Sequence, residues 1–182
     1  MTKLKNIFVS TTFAEDDSKI SDVLAECKKE NISNVELGSN HIYEKNFKKI
    51  IQKYNFRFLV HNYFPIPKKS FVVNIASLNK KIRTISIQHV KKAINFCKVT
   101  NSKLYTMHPG FLADPINAGR AKSNYDFIWD NNNLNGNYNL AFKNMLSSLK
   151  KIINFAKRKR VKVAIETEGS FKKKNLLLMQ KP

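Results

Sequence analysis

The chain has 182 residues, of which 42% are hydrophobic and 25% charged, and its formal net charge is +20. A chain of this length and composition suits one globular domain rather than two. No apolar stretch approaches the roughly 18 residues that a membrane-spanning helix needs, so we expect a soluble protein with no membrane partner. Cys27 and Cys97 lie in predicted helices without metal-ligand or redox spacing, which favours reduced, structural thiols and a cytoplasmic location.

The strong positive charge raises nucleic acid as a partner before any motif is considered. The lysines, however, recur along the whole chain, mostly opposite the apolar positions of predicted helices. The densest cluster, at 157–160, ends a helix, where cations complement the negative end of the helix dipole. This distribution favours solvated helix faces and leaves a nucleic-acid surface as the second interpretation.

Strand-like and helix-like runs alternate along the chain, which predicts parallel β/α units. The first strand is predicted at 7–11 and is followed by a helix at 19–30. Further strands are predicted at 34–37, 57–61, 103–107 and 161–165, and further helices at 46–54, 82–100 and 139–160.

The segment 111–137 is rich in Asn, Gly and Asp and shows no clear period, as is typical of a lid or binding loop. Its aromatic residues Tyr125, Phe127 and Trp129 either contact a ligand or anchor the loop to the rest of the domain.

Five predicted β/α steps are fewer than the eight of a closed barrel, which needs about 250 residues. The chain therefore forms either a smaller open sheet or the first part of a barrel. No glycine-rich phosphate loop follows the first strand, although an open dinucleotide-binding sheet would require one. We therefore expect a parallel (β/α) fold of TIM-barrel type, truncated after about five β/α units.

Four predicted strands each end on one ionisable residue: Glu36, His61, His108 and Glu166. Because neighbouring parallel strands lie about 4.8 Å apart, the side chains at their ends can converge on one ion. Two histidines and a carboxylate are a usual ligand set for Zn²⁺, Mn²⁺ or Fe²⁺. Glu36 is either a buried carboxylate bonded to a neighbouring strand or a contact to substrate.

Three other ionisable residues rank below these four. Glu168 lies two residues after Glu166 but beyond the predicted end of the strand. His41 lies in a polar loop and His89 in a helix among lysines, so we expect both to be ordinary surface residues.

The segments VELGSN (35–40), VHNYFPIP (60–67), MHPGFLADP (107–115) and AIETEGS (164–170) resemble the xylose isomerase-like TIM-barrel superfamily. This superfamily includes sugar phosphate isomerases and epimerases and the zinc-dependent apurinic endonucleases. The resemblance extends over the chain and implies a single barrel domain over residues 1–182, as the N-terminal portion of a barrel. It implies that Glu166 binds a divalent metal ion and that Glu36 lies in the active-site floor.

The two branches of the superfamily imply different roles for the histidines. In the endonuclease branch the positions of His61 and His108 bind zinc, whereas in sugar isomerases they more often line the substrate pocket. Two departures accompany the resemblance. Thr167 stands where the family commonly has Asn, and the family's ligands from strands six to eight have no counterpart in the chain. A complete barrel is therefore expected to be needed for activity, and an open sheet edge invites pairing with a second copy.

The resemblance thus implies a sugar phosphate isomerase or epimerase. A divalent ion, Mn²⁺ or Zn²⁺, would polarise sugar oxygens while a carboxylate moves a proton between adjacent carbons, with Glu166 as the catalytic ligand. Glu36, His61 and His108 would contact the substrate, a sugar or sugar phosphate. Two alternatives stay open: a zinc-dependent endonuclease acting at abasic sites in DNA, and a catalytically incomplete barrel.

Overall fold

A fully parallel, five-stranded sheet forms the centre of the protein. In the computed structural model, residues 7–15, 17–39, 41–69, 71–117, 128–129 and 137–166 are described. Among these residues the sheet has the order β1-β2-β3-β4-β7. The strands are β1 (Val9–Ser10), β2 (Asn34–Leu37), β3 (Arg57–His61), β4 (Leu104–Met107) and β7 (Lys162–Ile165). Two further strands, β5 (Pro115–Asn117) and β6 (Ile128–Trp129), form a separate antiparallel pair.

Four α-helices alternate with the strands of the parallel sheet. They are α1 (Ile20–Lys29), α2 (Phe47–Gln52), α3 (Lys80–Val99) and α4 (Tyr138–Lys159). The two long helices begin at asparagine caps: the Asn79 side chain accepts from the backbone N–H groups of Lys81 and Ile82, and the Asn137 side chain accepts from that of Leu140. None of the described helices is long and apolar enough to cross a membrane.

Alternate residues of the strands are buried against the helices. Val35, Leu37, Phe58, Val60 and Tyr105 belong to one apolar core together with buried residues of all four helices. Because side chains alternate along a strand, the helices pack against a single face of the sheet. This is the arrangement of a barrel wall, in which the helices form the outer layer.

The opposite face of the sheet carries the polar strand residues. The strand register pairs His61 with Thr106 and Thr106 with Ala164, which places these three residues in one row across β3, β4 and β7. Glu36 pairs with Leu59, two residues before His61, and therefore lies on the same face. Side chains on this face are directed into the interior in a barrel.

The sequence predicted the five strands of the parallel sheet and all four helices, with ends within two residues of those observed. The expectation of a loop over 111–137 was incomplete, because β5 and β6 form a strand pair there. Tyr125, Phe127 and the side chain of Trp129 lie outside the described part of the chain, so their roles stay predictions.

The expectation that His41 and His89 are surface residues was wrong. His41 is 6% exposed, and its Nε2 is hydrogen-bonded to the Thr11 hydroxyl at 2.8 Å. His89 is 5% exposed and packs edge-on against Phe71, with ring centroids 5.5 Å apart. His89 lies three residues after the buried Ser86 and four before the buried Ala93, so helical spacing already placed it on the inner face of α3.

Candidate metal centre

Three predicted site residues meet at the C-terminal ends of β3, β4 and β7. His61 is the last residue of β3, while His108 and Glu166 each follow the last residue of their strands. One potential ligand atom of each lies within 4.8 Å of the other two, and this is the one such group of His, Cys, Asp or Glu among the described residues. The parallel register brings the three together because it aligns the strand ends along one edge of the sheet.

The distances within this group suit a shared cation. His61 Nδ1 lies 3.4 Å from Glu166 Oε1, and His108 Nε2 lies 3.5 Å from Glu166 Oε2. Both separations exceed the 2.7–2.9 Å typical of charge-assisted hydrogen bonds. They match the spacing of about 3.3 Å between two ligands bound tetrahedrally at about 2.0 Å. The three residues therefore fit a divalent metal ion in both donor type and spacing.

Burial leaves the group accessible from one side. The side chains of His61 and His108 are 8% and 11% exposed, whereas that of Glu166 is 39% exposed. The imidazole rings stand nearly perpendicular, at 84°, with centroids 5.5 Å apart. Glu166 is thus the most exposed of the three side chains.

Thr106 bonds the same nitrogen of His61 that faces Glu166. A hydrogen bond of 2.8 Å joins its hydroxyl to His61 Nδ1, and Thr106 is the register partner of His61. One ring nitrogen cannot hold a hydroxyl and a metal ion together, so an ion bound through Nδ1 would displace this hydrogen bond. The sequence analysis missed Thr106, although its position two residues before His108 places it on the same face of β4.

Glu36 lies on the face that carries the metal group but outside the group itself. It belongs to β2 and is half-buried. Its register partners are Ser10 in β1 and Leu59 in β3. It is not among the residues that meet around Glu166. Its role as a substrate contact therefore stays a prediction. Thr167 and Glu168 lie outside the described residues.

The backbone after His108 is held by a buried asparagine. Asn74, which is fully buried, accepts from the backbone N–H of Phe111 at 2.9 Å through Oδ1. Its Nδ2 donates to Asp114 Oδ1 at 2.8 Å. Asn74 lies in the loop after β3 and the other two in the loop after β4, so one side chain joins the two loops that follow the histidine-bearing strands. The contact between Asn74 and Asp114 could not be predicted from the sequence, because neither loop has a regular repeat of apolar residues.

Gly110 permits this close approach. Its φ is +116°, and a Cβ added there would lie 2.5 Å from Asn74 Oδ1. A residue with a side chain would be strained in this backbone conformation and would also clash with the amide. Gly110 therefore allows the loop after His108 to pass close to Asn74.

The comparisons with known proteins agree with this architecture. The family described as "Xylose isomerase-like TIM barrel" matches residues 17–175. No curated protein matches the chain. A solved D-tagatose 3-epimerase-like protein is similar in fold with a TM-score of 0.61 at 17% identity, covering 90% of this chain and 53% of that one.

Two further solved structures are similar at lower identity. D-allulose 3-epimerase from Methylomonas sp., solved in complex with D-allulose, gives a TM-score of 0.54 at 10% identity, covering 88% of this chain and 50% of its own. A xylose isomerase domain protein from Planctomyces limnophilus gives 0.50 at 12% identity, with coverages of 90% and 54%. The chain spans about half the length of these structures, and at such identities the similarity is one of fold. Because the family match extends over most of the sequence, the chain belongs to the xylose isomerase-like TIM-barrel family.

Proposed function

We propose that His61, His108 and Glu166 bind one divalent cation, Mn²⁺ or Zn²⁺, in a site for isomerisation or epimerisation of a sugar or sugar phosphate. The observation that carries this proposal is the pair of 3.4 and 3.5 Å contacts between Glu166 and the two imidazoles. A hydrogen-bonded histidine at a strand end is common, but two of them facing the two oxygens of one carboxylate are the donor set of a metal centre.

A divalent cation would supply Lewis acidity toward adjacent carbonyl and hydroxyl oxygens of the sugar. The chain would fix the position of one ligand through its backbone. His108 lies on a backbone that Asn74 holds through Phe111. A ligand held in this way would orient the bound ion and the substrate in one direction.

Glu36 is proposed to contact the substrate from β2, because it is half-buried on the face that carries the metal group. A carboxylate there could hydrogen-bond a sugar hydroxyl or take a proton from the carbon next to the carbonyl. Lys68 and Lys69, both exposed in the loop after β3, would attract the phosphate of a phosphorylated sugar.

Metal-dependent binding of a sugar tests this function without a complete barrel. The chain, with and without Mn²⁺ or Zn²⁺, is titrated with D-allulose and with fructose 6-phosphate by calorimetry. We expect sugar binding that needs the metal ion. The variant Glu166→Gln should lose it, whereas Glu26→Gln, at an exposed position of α1, should retain it. Equal binding with and without the metal ion, or no binding, would contradict the proposed substrate site.

A zinc-dependent endonuclease acting at abasic sites is the second candidate. The specific observation in its favour is that both histidines, and not Glu166 alone, face the centre. It predicts that the Zn²⁺-loaded chain binds an abasic DNA duplex more tightly than an intact one. Both candidates use the three-residue metal site, so DNA binding decides between them, and metal binding without a preference for the abasic duplex would favour the isomerase.

The proposal has three further parts. Residues 1–182 act as one barrel-type domain, the N-terminal portion of such a barrel. The reduced, buried cysteines Cys27 and Cys97 suit a cytoplasmic protein. The outer strands β1 and β7 each have one neighbour in the described sheet, and unpaired strand edges favour a homo-oligomer.

A further inference from the structure

The outer surfaces of α3 and α4 carry positive charge only. The sequence has no Asp or Glu between Glu44 and Asp114, and none between Asp130 and Glu166. Each helix contains six Lys or Arg residues and no acidic residue. The two helices pack against each other, so their acid-free surfaces are continuous.

Three of these cations surround one aromatic ring, that of Phe155 in α4. The Lys91 Nζ, from α3, lies 5.5 Å from the centroid of this ring. The Arg158 Cζ and the Lys159 Nζ, from α4, lie 5.9 Å and 5.4 Å from it. We call these four residues the Phe155 cluster. Phe155, Lys91 and Lys159 are half-buried, and Arg158 is exposed.

The cluster gathers like charges without a carboxylate to balance them. None of the ion pairs between described residues involves a cation of α3 or α4. The face of an aromatic ring attracts each cation, and the C-terminal end of α4 attracts Arg158 and Lys159. Neither removes the mutual repulsion of three positive charges, which an added anion would relieve. The cluster is therefore complementary to a negatively charged partner.

The residues around the cluster distinguish between a lipid bilayer and a nucleic-acid duplex as the negatively charged partner. The neighbours of Phe155 on the helix surface, three and four residues away, are Lys151, Ile152, Arg158 and Lys159, and Ile152 is buried. Leu146 and Ile153 of α4 are exposed, but at 100° per residue they lie on the flank of the helix opposite Phe155. The side of the helix that carries the cluster thus lacks the exposed aliphatic side chains that insert into a lipid bilayer. At 20 and 22 residues, α3 and α4 are each about 30 Å long. A surface of that length spans many phosphates of a nucleic-acid duplex.

We propose that the Phe155 cluster, with the adjoining basic surface of α3 and α4, binds the phosphate backbone of double-stranded nucleic acid. This surface is separate from the metal centre. Arg158 and Lys159 come shortly before β7 begins, whereas Glu166 follows its last residue, so they lie at opposite ends of that strand. Binding here contacts phosphates and not base edges, so it is independent of sequence and needs no metal ion.

The test measures the affinity of the full chain for a labelled 20-base-pair DNA duplex by fluorescence anisotropy over 50–200 mM salt, with EDTA present. The variant Lys91→Gln/Arg158→Gln/Lys159→Gln removes the cations of the cluster. The matched control Lys45→Gln/Lys48→Gln/Lys49→Gln removes three exposed charges in and before α2, so the two variants have equal net charge. Circular dichroism establishes that both variants are folded.

We expect the wild type to bind with a steep salt dependence and the cluster variant to bind about tenfold or more weakly at low salt. The slope of log K against log salt should fall by about 3, one for each lost phosphate contact, and the control should keep the wild-type slope. Equal weakening in both variants would overturn the proposal, because it would mean that net charge alone is responsible. Binding to vesicles of 30% phosphatidylserine without binding to the duplex would also overturn it. EDTA keeps this outcome distinguishable from any failure of the metal centre.

Discussion

Asn74 Nδ2 donates a hydrogen bond of 2.8 Å to Asp114 Oδ1, and this bond joins the loop after β3 to the loop after β4. The second carboxylate oxygen of Asp114 accepts from the Ser77 hydroxyl at 2.6 Å. Asn74 Oδ1 meanwhile accepts from the backbone of Ala76 and of Phe111. Both histidine-bearing strands thus lead into loops that one buried amide holds together.

The first prediction concerns this amide. We expect Asn74→Ala to lower the free energy of unfolding by about 2–3 kcal/mol, because it leaves buried backbone N–H groups and a carboxylate oxygen without their partner. Urea denaturation measures the change as a lower midpoint at an unchanged slope. Asn95→Ala, an exposed position on α3, is the matched control and should stay within about 0.5 kcal/mol of wild type. Equal midpoints for the two variants would contradict the structural role of Asn74.

The second prediction concerns competition between Thr106 and a metal ion for His61 Nδ1. Thr106→Val keeps the side-chain shape but removes the hydroxyl that bonds this nitrogen. We expect the affinity for Zn²⁺ to rise about fivefold, because the ion no longer displaces a hydrogen bond worth about 1 kcal/mol. Thr106→Ser retains a hydroxyl and should bind Zn²⁺ with the wild-type affinity. A lower affinity in Thr106→Val would show that the hydroxyl supports metal binding and does not compete with it.

The third prediction is a pH dependence of stability caused by His89. The pKa of His89 is lowered to about 4, mainly by burial. The charge of the nearby Lys92 contributes to this shift, whereas hydrogen bonds with the backbone of Tyr63 and Asn62 oppose it. In the unfolded state the imidazole of His89 has a pKa near 6.5. Between pH 6.5 and pH 4 the unfolded state is therefore protonated at His89, whereas the folded state is not. The stabilisation is therefore present above pH 6.5 and is lost as the pH falls toward 4.

Between pH 7 and pH 5 the wild type should lose about 2 kcal/mol from this group. The comparison is with His89→Phe, which cannot titrate and keeps an aromatic ring beside Phe71. Burial also lowers the pKa of His41, but that contribution is common to both proteins and cancels in the difference. A His89→Phe variant with the same loss of stability between pH 7 and pH 5 as wild type would refute the assignment to His89.

The fourth prediction concerns the thiols. Burial raises the pKa of Cys97 to about 12 and also raises that of Cys27, so little reactive thiolate forms at neutral pH. We expect an aromatic disulfide reagent to label neither cysteine in the native protein over minutes, and to label both at once in 6 M guanidinium. Rapid labelling of the native protein at pH 7.5 would contradict the burial of these side chains.

The secondary structure was predictable because the apolar residues recur at regular spacings along the chain. Ile20, Val23, Leu24 and Cys27 repeat at helical spacing in α1, and the strands are short apolar runs that alternate with helices. The ends of the strands indicated His61, His108 and Glu166, because a parallel sheet aligns the ends of its strands at one edge.

What the sequence did not reveal are contacts between loops without a period. Asn74 and Asp114 are 40 residues apart and meet only because β3 and β4 are neighbours in the sheet. The burial of His41 was hidden for a similar reason, since its partner Thr11 lies 30 residues earlier, after β1. His89 was predictable from its helical spacing, but the lysines around it were given more weight than its inward position.

The central claim is that His61, His108 and Glu166 bind one divalent cation, and a metal titration tests it most directly. The metal-stripped chain is titrated with Zn²⁺ and with Mn²⁺ by calorimetry, for wild type, His61→Ala, His108→Ala and Glu166→Ala, with Glu26→Ala as an exposed control. We predict one equivalent bound by the wild type and by the control, and an affinity lower by about a hundredfold in each of the other variants. Wild-type affinity in those three variants, or no stoichiometric binding by the wild type, would contradict the claim.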